Sequence, residues 1–297
     1  MSNFELNKQL MKRIFGLFAA LAVLGSGAYA QDGAVLESFS GTRVLSNHSV
    51  ELLPKRSLEF IVAHKFGDIA GASGGLQNFY GFDNLADVRI AFEYGVLDDL
   101  DIGVGRNKGV GLITGVLDGF AKYKILQQKE TGMPVNLVFV SSLILPYKGA
   151  VSDPTSIASY PKFLNRFTFT NQLLVARKFS DRFVLQANIG YNHRNFVNYD
   201  DVNGLLFAGV SARTRFTKTI GMLVEYNHVF NRPTSIADNY QDPLSVGIEI
   251  LTGGHSFILG FSNSRALNEN LFIPGTTSNW LDGGWRFGFS INRRFKL

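Results

Sequence analysis

The sequence predicts an all-β protein: a single up-and-down antiparallel transmembrane β-barrel of about 12 strands. Three observations point there. Apolar and polar residues alternate with period two in segment after segment, as strands with two unlike faces require. Short and long connections alternate along the chain, so in a meander all the short turns fall at one end and all the long loops at the other. That is the layout of outer-membrane barrels, with short periplasmic turns and long extracellular loops. Beyond residue 30 no segment holds a 3.6-residue period or an apolar run near the roughly 20 residues of a spanning helix.

The bulk numbers agree with a folded chain. Of 297 residues, 45% are hydrophobic and only 18% charged, which excludes disorder. The absence of cysteine excludes a disulfide framework and thiolate chemistry. Residues 1–30 read as a signal peptide: Lys12 and Arg13 precede the apolar IFGLFAALAVLGSG, and Ala28-Tyr29-Ala30 forms a small-x-small cleavage pattern before Gln31. MSNFELNKQL fits no part of such a peptide, so Met11 reads as the true start. Cleavage removes Lys8, Lys12, Arg13 and Glu5, and the net charge falls from +5 to +3. That is too mild for a nucleic-acid partner, and no basic cluster with interleaved aromatics is present. A segment over 31–56, periplasmic or lumenal, then leads into the barrel over 57–297.

Taken in order, the first strand spans 57–67, where Leu58, Phe60 and Val62 alternate with Glu59 and Ile61. The second spans 86–97, with Val88, Ile90, Phe92, Tyr94 and Val96 opposite Arg89, Ala91, Glu93 and Gly95. Strands over 99–107, 114–127, 133–145 and 162–178 follow. In 182–194, Phe183, Leu185, Ile189 and Tyr191 oppose Gln186, Asn188 and Asn192; the partition recurs in 204–216 and 219–230. Strands over 243–251, 255–263 and 284–296 complete the set. Short turns join them at 97–99, 128–133, 180–181, 217–218 and 252–254. The longer connections at 68–85, 108–113, 146–161, 195–203, 231–242 and 264–283 are rich in Gly, Asn, Asp, Ser and Pro.

Which face is wet follows from size. About eight strands make an interior that side chains can fill. Twelve strands with an apolar interior would leave a wide hydrophobic void, whereas a polar interior hydrates. On this reading the lumen is lined by Glu93, Lys122, Lys124, Arg166, Arg213, Arg215, Glu225, Glu249, Arg286 and Arg294, with Asp101 among them. On the lipid face an Arg or Lys would cost roughly 2–4 kcal/mol at the bilayer midplane. In the last strand Trp285, Phe287, Phe289 and Ile291 face lipid, and the strand closes against the first near Leu58 to His64. Arg293 falls on the lipid face, which requires either an interfacial position or a bulge.

Three stretches, SVELLPKRSLEFIVAHKFGD (49–68), TGGHSFILGFSNS (252–264) and FIPGTTSNWLDGGWRFGFSINRRFKL (272–297), resemble an uncharacterised β-barrel family of Bacteroidota outer membranes, a domain of unknown function. The resemblance implies an outer-membrane barrel in a Gram-negative cell and supplies no catalytic residue.

Chemistry-bearing motifs are sparse. GVGRNKGVG (103–111) lacks the following helix of a phosphate-binding loop and reads as a glycine-rich hairpin loop. His48, His64, His193, His228 and His255 show no metal-ligand spacing. His255 and Ser256 are adjacent, so they face opposite sides and form no direct catalytic pair. Asn231, Asp238, Asn239 and Asp242 match no calcium loop and read as a solvated loop. No cofactor, metal or catalytic residue is therefore expected. The leading function is a channel for small polar or charged solutes, in contact with outer-membrane lipid. The alternative is a closed barrel, blocked by residues 31–56 or by loops, that scaffolds an envelope partner. A third reading is a lipid-acting enzyme that uses His255.

Overall fold

A computed structural model describes residues 37–297, and the signal peptide expected over 1–30 lies outside them. Twelve strands form the fold: β1 (Ser57–Phe66), β2 (Leu85–Leu97), β3 (Leu100–Val110), β4 (Ile113–Leu126), β5 (Asn136–Pro146), β6 (Thr168–Lys178), β7 (Phe183–Arg194), β8 (Gly204–Arg215), β9 (Ile220–Val229), β10 (Leu244–Leu251), β11 (His255–Ser262) and β12 (Arg286–Lys296). Each pairs antiparallel with its neighbours in the chain, and β1 pairs with β12 to close the barrel. The closing register sets Leu58 opposite Phe295 and His64 opposite Phe289. Closure leaves the sheet without a free edge, as a backbone in lipid requires.

Alternation decides what each face meets. Along β1, Ser57, Glu59, Ile61, Ala63 and Lys65 are buried inside, while Leu58, Phe60, Val62, His64 and Phe66 are half-exposed outside. On β12, Arg286, Ser290 and Asn292 point inward, and Ile291 and Phe295 outward. Rings gather on the outer face at the β1–β12 seam, where His64 stacks on Phe289 at 5.6 Å and Phe66 on Phe287 at 5.9 Å. Arg293 keeps the outward parity with no bulge in its ladders. It sits at the short-turn rim, its Nη1 3.2 Å from His255 Nε2 and its guanidinium 5.2 Å from the Phe295 ring.

Three expectations need correction. The connection at 108–113 is no long loop: β3 and β4 run on as a projecting hairpin, pairing Val110 with Ile113 around Gly111-Leu112. Gly111 has φ 57°, the left-handed backbone that a two-residue hairpin turn demands of its first residue. The strand expected from 162 starts at Thr168, because Phe163–Arg166 form a 3-10 turn. The connection after β11 contains a helix, α1 (Glu269–Gly275). Its N-cap Asn268 accepts a hydrogen bond from the Asn270 N–H at 3.1 Å, and Pro274 limits its length.

Ile248 lies outward midway along β10, with 47% of its surface exposed. Ile248→Arg is expected to lower the unfolding free energy by about 2–4 kcal/mol, read by guanidinium titration of the bilayer-inserted protein.

Candidate functional site: the occupied barrel interior

The interior is not an empty lumen. Residues 37–53 enter from the short-turn end, turn back at Val44–Asn47 and return to the rim. The turn is tied by Val44 N–H to Asn47 O at 2.9 Å, Ser49 N–H to Thr42 O at 3.0 Å and one bridge between Arg43 and His48. The segment adds no strand to the barrel sheet. Inward side chains instead grip its backbone. The N–H groups of Leu45, Ser46 and Asn47 donate to the Glu225 carboxylate at 2.9–3.2 Å. Gln186 receives Val50 N–H at 2.9 Å and donates to His48 O at 2.8 Å. Lys122 Nζ donates to Thr42 O and Glu51 O at 2.9 and 3.0 Å. Leu53 N–H donates to Asp101 at 2.7 Å, and Ser40 hydroxyl to Glu249.

Apolar packing supplies the rest. Phe39, Val44, Val50 and Leu52 are buried against Val138, Val140, Leu174, Ala176 and Val184, all inward on β5, β6 and β7. Leu45 seats on a notch where Gly247 and Gly260 pair across β10 and β11; a Cβ at either glycine would stand 2.5 or 2.7 Å from its Cδ2. Burying one such side chain is worth about 1.5–3 kcal/mol, against about 0.5–1.5 for a neutral hydrogen bond. Apolar burial therefore holds the segment, and the polar contacts fix its register.

From the long-loop end α1 reaches down to meet the turn. Its Leu271, Phe272 and Ile273 pack on Val116, Ile144 and Phe207 of the wall. Glu269 accepts from Arg43 at 3.3 Å and lies 3.1 Å from His48 Nε2. Around this meeting point Arg43 Nε is 3.6 Å from Glu93, and Arg89 is held by Asp118 at 2.7 Å. Burial, reinforced by the Arg43 cation, pushes the His48 imidazole down to about 4, so the ring is uncharged at neutral pH.

This architecture agrees with what the chain resembles. The family described as "Membrane bound beta barrel domain (DUF5777)" matches residues 39–295. The chain belongs to that family. The match includes most of the internal segment as well as the strands of this DUF5777 barrel. No curated protein sequence matches it. Among solved structures it is similar to the NanC porin, with 6% identity, 81% of this chain and 100% of that one covered, and a TM-score of 0.46. The KdgM porin gives 7%, 81%, 99% and 0.46, and an outer membrane channel from Pseudomonas putida F1 gives 13%, 83%, 98% and 0.45. Identities and scores this low carry no solute or task across.

The charged residues singled out in the sequence now have positions in the DUF5777 barrel. Glu93, Lys122, Arg213, Glu225, Glu249 and Arg286 are buried inside it. Arg213 and Arg215 both lie 3.8 Å from Glu249, Arg294 lies 3.6 Å from Glu59, and Arg286 pairs with Asp68 of the first long loop. Lys124, Arg215 and Arg294 border a cavity of about 590 Å³ at the short-turn end. Arg166 is on no strand: it belongs to the turn before β6 and donates to Pro146 O and Lys148 O at the opposite mouth. Glu59 and Arg89, already on the polar parity of the first two strands, are buried inside as well, and Arg43, His48, Asp118 and Glu269 join the charged interior without having been singled out for it. Asp118 shares its parity with Lys122 and Lys124, so the pattern contained it; Arg43, His48 and Glu269 lie outside any strand, where alternation is silent. Ser256 pairs with inward Asn292 and His255 with outward Arg293, so the two do not converge. Asp242 is occupied by Tyr226 at 2.5 Å and His228 at 2.7 Å.

Glu225→Ala removes the acceptor for three amides, and trypsin cleavage after Arg43 in the folded barrel is expected to rise at least about tenfold, measured by mass spectrometry. The buried ring gives a pH dependence of defined sign. Because His48 binds its proton less readily inside than the ordinary 6.5, docking is favoured above that value and loses this advantage as pH falls toward 4. Hydrogen-exchange protection of the Leu45–Asn47 amides, corrected for intrinsic rate, should fall over that window, and His48→Gln should flatten the fall.

Proposed function

We propose that this protein is an outer-membrane channel for small polar or charged solutes that its own N-terminal segment holds shut. One observation carries the reading: where the segment crosses the barrel, the wall residues Glu93, Asp101, Lys122 and Arg213 are all 0% exposed, covered by the segment. The wall behind the segment keeps charges of both signs, Glu59, Glu93, Asp118, Lys122 and Arg213, which would hydrate once the segment withdrew. The segment adds no strand to the sheet, so it can leave while every barrel ladder stays intact. An outer membrane implies a Gram-negative cell, and the stretches resembling Bacteroidota barrels support that group, with residues 1–30 removed on export.

A second reading, a permanently closed scaffold, is favoured by the apolar cluster of Phe39, Val44, Val50 and Leu52, whose burial opposes withdrawal. One experiment separates the two. In planar bilayers the full mature chain should conduct near zero, and a chain lacking residues 31–53 should show stepwise conductance. Steady conductance of the full chain would contradict the shut state. A truncated chain that folds, by heat-shifted gel mobility, yet stays silent would leave the scaffold standing and the channel reading refuted.

A further inference from the structure

The long-loop mouth holds a second cavity, of about 310 Å³, separated from the short-turn cavity by the internal segment and α1. Its lining has two characters. Part of the lining is apolar, from Ile113 at the tip of the β3–β4 hairpin, Ile157, Phe196, and Leu271 and Pro274 of α1. The same lining includes three arginines, Arg166, Arg194 and Arg265, with a single carboxylate, Asp201.

The state of those polar groups decides what fits. Asp201 is already satisfied: it accepts from Arg194 Nη1 at 2.8 Å and from the Val202 N–H at 2.7 Å. Arg194 Nε and the Tyr160 hydroxyl, both lining the cavity, are buried without a hydrogen-bond partner. Arg265 is exposed and has no hydrogen-bond or ion-pair partner among the described residues. So the donors left unpaired are the Arg265 guanidinium, Arg194 Nε and the Tyr160 hydroxyl, beside an acid that already accepts twice. Buried donors left unpaired are costly, and an anion satisfies them with the stronger, charge-assisted kind of hydrogen bond. An inorganic anion would leave the apolar lining in contact with water, whereas a ligand with a hydrocarbon body covers it. Pockets of this make-up, mostly apolar with a few convergent polar groups, are the usual form of small-ligand sites.

We infer that the long-loop mouth is a binding site for a small organic carboxylate with an apolar body. Its carboxylate meets Arg265, Arg194 Nε and Tyr160, and its hydrocarbon part lies on Ile157, Phe196 and Leu271. The site stands apart from the channel reading, since it lies outside the closed section and exists whether or not the barrel ever opens.

The test uses the full mature chain in lipid nanodiscs, with hexanoate and hexylammonium as probes of equal length and opposite charge, followed by saturation-transfer NMR and calorimetry. Hexanoate should bind saturably and hexylammonium should not. Arg265→Gln, at an exposed position where folding is not at stake, should weaken hexanoate at least about tenfold, the effect of losing one charge-assisted hydrogen bond. Ile157→Glu, which sets a like charge on the apolar lining, should abolish binding. Phosphate should bind more weakly than hexanoate by a similar factor. Equal binding of the two six-carbon probes would overturn the inference by showing mere partitioning, as would hexanoate affinity unchanged by Arg265→Gln, or phosphate binding as tightly as hexanoate.

Discussion

Twelve strands enclose more space than their inward side chains fill, and every charge on that inner wall needs water or a partner. The rest of the structure answers this constraint. Residues 37–53 fill the section nearest the short turns and α1 fills the section nearest the long loops. They meet where Arg43, His48 and Glu269 come together. Had the barrel eight strands, neither insertion would have room. Had the wall no charges, the segment would have no means of being placed in register.

The way the wall holds the segment is unusual in one respect: its charged and amide side chains bind mostly backbone. Glu225, Gln186, Lys122 and Asp101 between them contact amides and carbonyls of Thr42, Leu45, Ser46, Asn47, His48, Val50, Glu51 and Leu53. Backbone is the same whatever side chain it carries. Those backbone contacts therefore constrain the path of the segment, while its identity is constrained at Phe39, Val44, Leu45, Val50 and Leu52, where apolar fit matters, and at Ser40, Arg43 and Asn47, whose side chains are bound by Glu249, Glu93 and Asn227.

The barrel itself was legible in the sequence because one rule, period two, governs nearly every strand, and because turn residues punctuate it. Glu59 to Lys65 on β1 and Arg286 to Asn292 on β12 keep strict parity, so strand number, facing and closure followed. What the interior contains was not legible. The segment before β1 forms no regular element, and α1 is seven residues with a proline, too short to announce a period. Their places are set by partners far away in the chain, which alternation cannot see. The loop expected at 108–113 failed for a different reason. Glycines that mark a loop in most settings here supply the left-handed φ values at Gly109 and Gly111 of a continuous hairpin.

Sequence distance gives the internal segment a further consequence, for assembly. Ser46 meets Glu225 across 179 residues, Ser40 meets Glu249 across 209, and Arg43 meets Glu269 across 226. The segment precedes every strand in the chain, yet these three partners belong to the last third of it. Until β9 has been laid down, the turn amides of Leu45, Ser46 and Asn47 have no acceptor, and once β12 has zipped to β1 they are enclosed. Contacts of such separation form late and slowly. The final seam and the filling of the interior are thus one event, and a chain that closes without its first residues inside would be a different, hollow product.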